Sequence, residues 1–111
     1  MIKVTQTNGI DIVSFEGINK LNVLVAQQVK DDILKVIDKN NPKIVMDLEA
    51  IGYIDSTGFG VLLSVLRTTK NNKGIFKICN VSKEVMELVK LLQLQNVFEI
   101  FNDLDTCKNS F

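Results

Sequence analysis

Histidine and tryptophan are absent from these 111 residues, and proline and tyrosine occur once each. Without histidine the chain lacks the commonest general base and the commonest metal ligand. The two cysteines, Cys79 and Cys107, are too few for a disulfide framework and lack zinc-ligand spacing. Reduced thiols are expected, with Cys79 simply packed in an apolar run. Net charge is missing as well, because thirteen basic residues cancel thirteen acidic ones. No long-range field steers the chain to nucleic acid or to an acidic membrane, so neither is an expected partner. The N-terminal Met1-Ile2-Lys3-Val4-Thr5 has no apolar signal core, and no apolar run reaches bilayer length. The expected location is the cytoplasm.

What is present suits one globular domain spanning 1–111. An apolar share of 46% against 23% charged residues is enough to bury a core without metal or disulfide staples. Residues 2–7 and 10–16 alternate in strand fashion around Asn8-Gly9. That dipeptide accepts the positive φ angles of a tight turn, which predicts an antiparallel hairpin. Residues 18–22 read as a connection. From Val23 to Asp38 the period becomes helical, with Val25 or Ala26, then Val29, Ile33, Val36 and Ile37 on one face. Asn40-Asn41-Pro42 ends it.

The contiguous Ile44-Val45-Met46 predicts a central strand covered on both faces over Lys43 to Leu48. Ile51 to Ile54 reads as a loop, and Thr57 to Asn71 as a second helix striped by Phe59, Leu62, Leu63 and Leu66. Ile75 to Cys79 is another strand. Asn80 or Ser82 caps a third helix carrying Val85, Leu88, Val89 and Leu92. Val97 to Phe101 is a short last strand, followed by a closing helical turn over Asp103 to Lys108. Strands alternating with helices predict an α/β fold. Its mixed sheet combines an N-terminal hairpin with parallel central strands and carries three to four helices.

One segment stands apart: Asp55-Ser56-Thr57-Gly58-Phe59-Gly60, between a buried strand and an amphipathic helix. Ser56 falls where an N-cap belongs, and its oxygen can accept from first-turn amides. Glycine costs about 1 kcal/mol against alanine inside a helix. Gly58 and Gly60 therefore suggest a helix start left bare so that something can approach the backbone. A bare cap is the plain alternative for Ser56. No lysine follows these glycines as a phosphate loop requires, and Leu63 breaks the dinucleotide fingerprint. A nucleophilic serine needs a base that the chain does not offer. Asp47 and Asp55 alone make a poor metal pair. Catalysis is not expected, and no motif implies a cofactor, a metal or a small-molecule substrate.

The run Asp55 to Gly60, set after the strand at Ile44–Leu48, resembles the signature of STAS domains (sulfate transporter and anti-sigma-factor antagonist). The resemblance extends over nearly the whole chain, through Phe15-Glu16-Gly17, the Gly74 turn, Asn80-Val81-Ser82 and Leu94 to Phe101. It implies a STAS-like fold, and the short chain is similar to the free-standing antagonists. In that family the serine matching Ser56 is phosphorylated by an anti-sigma factor that is also a serine kinase. The unmodified antagonist binds that kinase and frees the sigma factor, and a serine phosphatase resets the system. Asp55, Ser56, Thr57 and Gly58 would then meet the partner, as would the loop at Asn19 and Lys20. That loop departs from the family, where an acidic residue often follows the glycine matching Gly17. Asp55 would add negative charge at the site, which implies a basic partner surface. The rival implied role is a structural STAS subunit of a lipid-transport or stress-signalling assembly, with Ser56 never modified.

Overall fold

The computed structural model describes residues 1–111. Strands β1 (Ile2–Thr7) and β2 (Ile10–Phe15) form the expected hairpin, pairing antiparallel with Thr7 opposite Ile10. Asn8 and Gly9 take φ of 51° and 77°, the mirror-image turn that matches strand twist. After them come β3 (Lys20–Leu21), α1 (Ala26–Val36), β4 (Lys43–Asp47), β5 (Tyr53–Ile54) and α2 (Ser56–Asn71). The chain continues with β6 (Ile75–Cys79), α3 (Lys83–Leu91), β7 (Ile100–Phe101) and α4 (Leu104–Asn109).

The main sheet has the order β1-β2-β4-β6-β7, and every pairing after the hairpin is parallel. Each crossover from β2 onward steps to the next strand in the same direction. Right-handed crossovers of that kind place all their helices on one face. Accordingly Val13 and Phe15 of β2, Ile44 and Met46 of β4, and Phe76 and Ile78 of β6 pack with Val29 and Ile33 of α1, Leu62 and Val65 of α2, and Val85 and Val89 of α3. Burial of each such side chain stabilises the fold by about 1.5–3 kcal/mol.

The alternate residues Ile10, Ile12, Val45 and Cys79 face the other way and are covered by α4 through Cys107. Two charges are buried in the sheet, and both are paired as burial demands. Asp11 accepts from the Lys39 ammonium and from the Gln6 side-chain amide. Lys77 donates to the Ser110 carbonyl (2.9 Å) and hydroxyl (2.7 Å), lies 3.7 Å from Glu99 and 4.6 Å from the centre of the Phe111 ring.

Three elements differ from the sequence reading. The first helix begins at Ala26 rather than Val23, because residues 22–25 form a turn in which the Asn22 carbonyl accepts from the Val25 and Ala26 amides. Residues 18–22 and 51–54 are not wholly loop. Lys20 pairs with Tyr53 and Leu21 with Ile54, in a two-stranded parallel sheet separate from the main one. The last strand is two residues long, since the Leu94 carbonyl accepts from the Val97 and Phe98 amides and holds that stretch in a turn.

Burial pushes the Cys79 thiol up from 9.0 to about 12, with the Asp47 carboxylate adding to the rise, and burial also raises Cys107. In the unfolded chain both thiols ionise at their ordinary values, so above about pH 9 the unfolded state binds fewer protons than the folded one. Stability contributed by the neutral thiols is full below that pH. For Cys79 it should fall as pH rises toward 12, by about 1.4 kcal/mol per pH unit, and Cys107 adds to the loss in the same direction. Denaturant titrations at steps from pH 8 to pH ~10.5 should show this loss, and Cys79→Ala should make it shallower. An equal slope in that variant would contradict the assignment.

Candidate functional site

The strand-turn-helix setting of the Asp55-to-Gly60 run is built by the small β3/β5 sheet. The Leu21 carbonyl accepts from the Asp55 amide (3.2 Å), and the Asn19 carbonyl accepts from the Gly52 amide (2.9 Å). These bonds lay the loop from Asn19 to Leu24 alongside the chain entering α2. Five of the six residues singled out from the sequence therefore share one surface: Asn19, Lys20, Ser56 and Thr57 are exposed and Asp55 is half-buried.

The cap of α2 is Asp55, not Ser56. Asp55 has extended backbone (φ −89°, ψ −178°), and its Oδ1 accepts from the Gly58 amide at 2.8 Å. Its Oδ2 accepts from the Val23 amide at 3.0 Å. A carboxylate serves both places at once because it has two accepting oxygens and carries the charge that a helix N-terminus favours. A serine hydroxyl is too short to bridge them. Ser56 is thereby displaced to the first helical position, where its hydroxyl makes no hydrogen bond within the chain. The Asp55 carbonyl accepts from the Phe59 amide. Of the four first-turn amides, those of Ser56 and Thr57 are left without an acceptor inside the helix.

Gly58 also differs from the sequence reading. It is buried, and a Cβ there would collide with the Leu21 carbonyl oxygen and lie 2.7 Å from the Ile54 Cγ2. Its missing side chain serves the approach of α2 to β3 and leaves nothing bare for a partner. Gly60 is the open one, exposed and with no atom within 4 Å of a Cβ.

The acids at the site are engaged within the fold. Both Asp55 oxygens are engaged with amides, and Asp47 is similarly occupied by the Glu49 amide and the Asn80 side chain. No group of three or more His, Cys, Asp or Glu residues is placed to hold a metal. The exposed charge on the strand beside the helix tip is Lys20, next to Tyr53 across the small sheet. The tip is also flanked by apolar side chains that the sequence reading passed over. Val23 is 66% exposed, Leu24 86% and Tyr53 47%. The sequence carries a signal for the first two: Val23 and Leu24 precede the helical stripe, which starts at Val25 or Ala26.

Two substitutions separate the glycines. Gly58→Ala should destabilise the fold by about 2–3 kcal/mol through overpacking, whereas Gly60→Ala should stabilise it by about 0.5–1 kcal/mol through helix propensity. Thermal or denaturant unfolding of the two variants checks both signs. Asp55→Ala should cost about 2–3 kcal/mol, since it removes a cap and leaves the Val23 amide unpaired. Unfolding at wild-type denaturant concentration would contradict the bridging role.

Comparisons with known proteins converge on one family. The model of the STAS domain matches residues 1–107. BtrV of Bordetella bronchiseptica, named as a candidate anti-sigma factor antagonist, is 23% identical over 110 residues, covering 99% of this chain and 93% of its own. A STAS domain protein from Planctomyces limnophilus, described as an anti-sigma-factor antagonist, superposes with a TM-score of 0.89 at 20% identity. That alignment covers 96% of this chain and 93% of the other. SpoIIAA of Bacillus, a cell fate determinant solved in its phosphorylated form, superposes with a TM-score of 0.69 at 16% identity over the whole of both chains. No helix is long and apolar enough to cross a membrane.

Proposed function

This chain belongs to the STAS domain family, and we propose that it is an anti-sigma-factor antagonist switched by phosphorylation of Ser56. In the unmodified form it binds an anti-sigma factor that is also a serine kinase, and the sigma factor is released. Phosphorylation of Ser56 ends that binding, and a serine phosphatase restores it. This is a role for a protein-binding module of the cytoplasm, with no catalytic step on the chain itself.

The observation that carries the reading is the free hydroxyl of Ser56. It is exposed at the first position of α2 and serves no bond of the fold, because Asp55 does the capping. A serine kept only as a cap would have its oxygen on a first-turn amide. Here the hydroxyl is available to a kinase without cost to the helix. A phosphate adds about −1.5 to −2 charge beside the free amides of Ser56 and Thr57, at the positive end of the helix dipole. The domain thus accommodates the modified serine without refolding. The partner does not, since a surface fitted to the bare tip has no space or hydrogen bonds for the phosphoryl group. A penalty of about 3 kcal/mol weakens binding more than a hundredfold.

The phosphorylated state of SpoIIAA, which shares this fold, supports the same reading. The strand order supports a protein partner as well. Small ligands of open α/β sheets sit where the strand order reverses, and this order runs one way from β2 to β7.

Incubation with ATP and the anti-sigma-factor kinase of the same cell should add the mass of one phosphate, and Ser56→Ala should abolish the gain. Ser56→Asp should keep the melting temperature of the wild type, because an acid suits this position, yet bind the kinase at least about a hundredfold more weakly. A mass gain that survives Ser56→Ala, or an undiminished affinity in Ser56→Asp, would overturn the proposal.

A further inference from the structure

The tip of α2 does not end the exposed surface around Ser56. An open groove of about 460 Å³ continues from it between α1 and α2. Val23, Ala26 and Lys30 contribute to one wall, and Thr57, Gly60 and Ser64 to the other. The walls run from Val23 to Lys30 and from Thr57 to Ser64; along α2 that is seven steps at 1.5 Å each, so the groove is roughly 10 Å long. Thr57 belongs to both the tip and the groove, which makes the two one continuous surface.

Three features define what fits. The floor at Gly60 has no side chain and nothing within 4 Å of where one would start. An inserted apolar or small side chain from a partner would meet backbone there. Val23 lines the groove, and the exposed Leu24 follows it in the loop fixed by the bond from the Val23 amide to Asp55. Rigid, exposed apolar side chains on a fixed loop are poor company for water and good anchors for a partner. The third feature is charge. Lys30 is the one charged residue lining the groove, and no acid of the chain lies within ion-pair distance of it. The neighbouring Asp31 accepts instead from the Gln27 side chain at 2.9 Å.

We infer that this groove is the second half of the partner interface, and that the anti-sigma factor seats an apolar side chain over Gly60 and places a carboxylate on Lys30. The inference rests on the function proposed above and names the chemistry of its partner. It adds an acidic contact at Lys30 to the basic partner surface expected opposite Asp55.

Binding of the purified anti-sigma-factor kinase to wild type, Gly60→Leu, Lys30→Glu and Leu24→Ser separates the possibilities. Gly60→Leu improves helix propensity and meets no atom at its Cβ, so it should fold and yet fill the groove. Circular dichroism and a melting curve confirm folding for each variant. Gly60→Leu and Lys30→Glu should each weaken binding by about tenfold or more, and Leu24→Ser by about fivefold or more. Added salt should weaken the wild type but not Lys30→Glu. If Ser56→Asp abolishes binding while Gly60→Leu and Lys30→Glu bind as wild type, the groove inference fails and the proposed function stands. If wild type itself does not bind the kinase, both fail. A homodimer that Gly60→Leu dissociates would assign the groove to a second copy and overturn the inference.

Discussion

The Asp55 carboxylate stands between two parts of the chain more than thirty residues apart, with one oxygen on the Gly58 amide and the other on the Val23 amide. A helix start and a loop are thereby fixed to each other through a single side chain. The main-chain bond from the Asp55 amide to the Leu21 carbonyl runs parallel to it. Gly58 completes the junction by letting α2 come against that same carbonyl. The exposed hydroxyl, the orientation of Val23 and Leu24 and the mouth of the groove all follow from this clasp. Charged hydrogen bonds of this kind are roughly twice as strong as neutral ones, and here they define geometry as well as adding stability.

The fold below the clasp explains why the candidate site is a surface and not a cleft. With α1, α2 and α3 all on one face of a sheet whose strands progress in one direction, the carboxyl ends of the strands open no crevice between diverging crossovers. The other face is closed by α4 and the charge-paired Lys77. What the helices leave exposed is the tip of α2, the loop beside it and the gap between α1 and α2. Such a surface suits another protein, which can cover it with a few central anchors and a polar rim.

Much of this was legible from the sequence because local chemistry and tertiary role agree. Asn8-Gly9 can form only a few turns, and the alternation on either side fixes the hairpin register. The unbroken Ile44-Val45-Met46 declares a strand buried on both faces. Legibility failed where a residue's role is set by something distant in the chain. Ser56 and Asp55 are both good caps, and only the Val23 amide, brought in by β3, decides in favour of the residue with two accepting oxygens. Gly58 and Gly60 look alike in sequence. One is pressed against Leu21 and the other faces solvent, a difference made by a two-residue strand too short to show a period. The start of α1 was misplaced for the same reason, since Val23 and Leu24 are apolar but are held off the helix by the clasp.

The engagement of Asp55 also sets the surface on which a phosphate would act. Both carboxylate oxygens lie on amides, which fixes the Asp55 charge at the junction of helix start and loop. The lysines at 20 and 30 are exposed or half-buried, so the unmodified surface carries charges of both signs beside its apolar side chains. Phosphorylation of Ser56, as proposed, would add a dianion to it. A partner that offers an apolar side chain and a carboxylate would meet a dianion where it had met a hydroxyl, and like charges brought together at an interface cost several kcal/mol. The residue that caps the helix is in this way also the residue that leaves the Ser56 hydroxyl free for the proposed switch, by taking the capping bond that a serine would otherwise make.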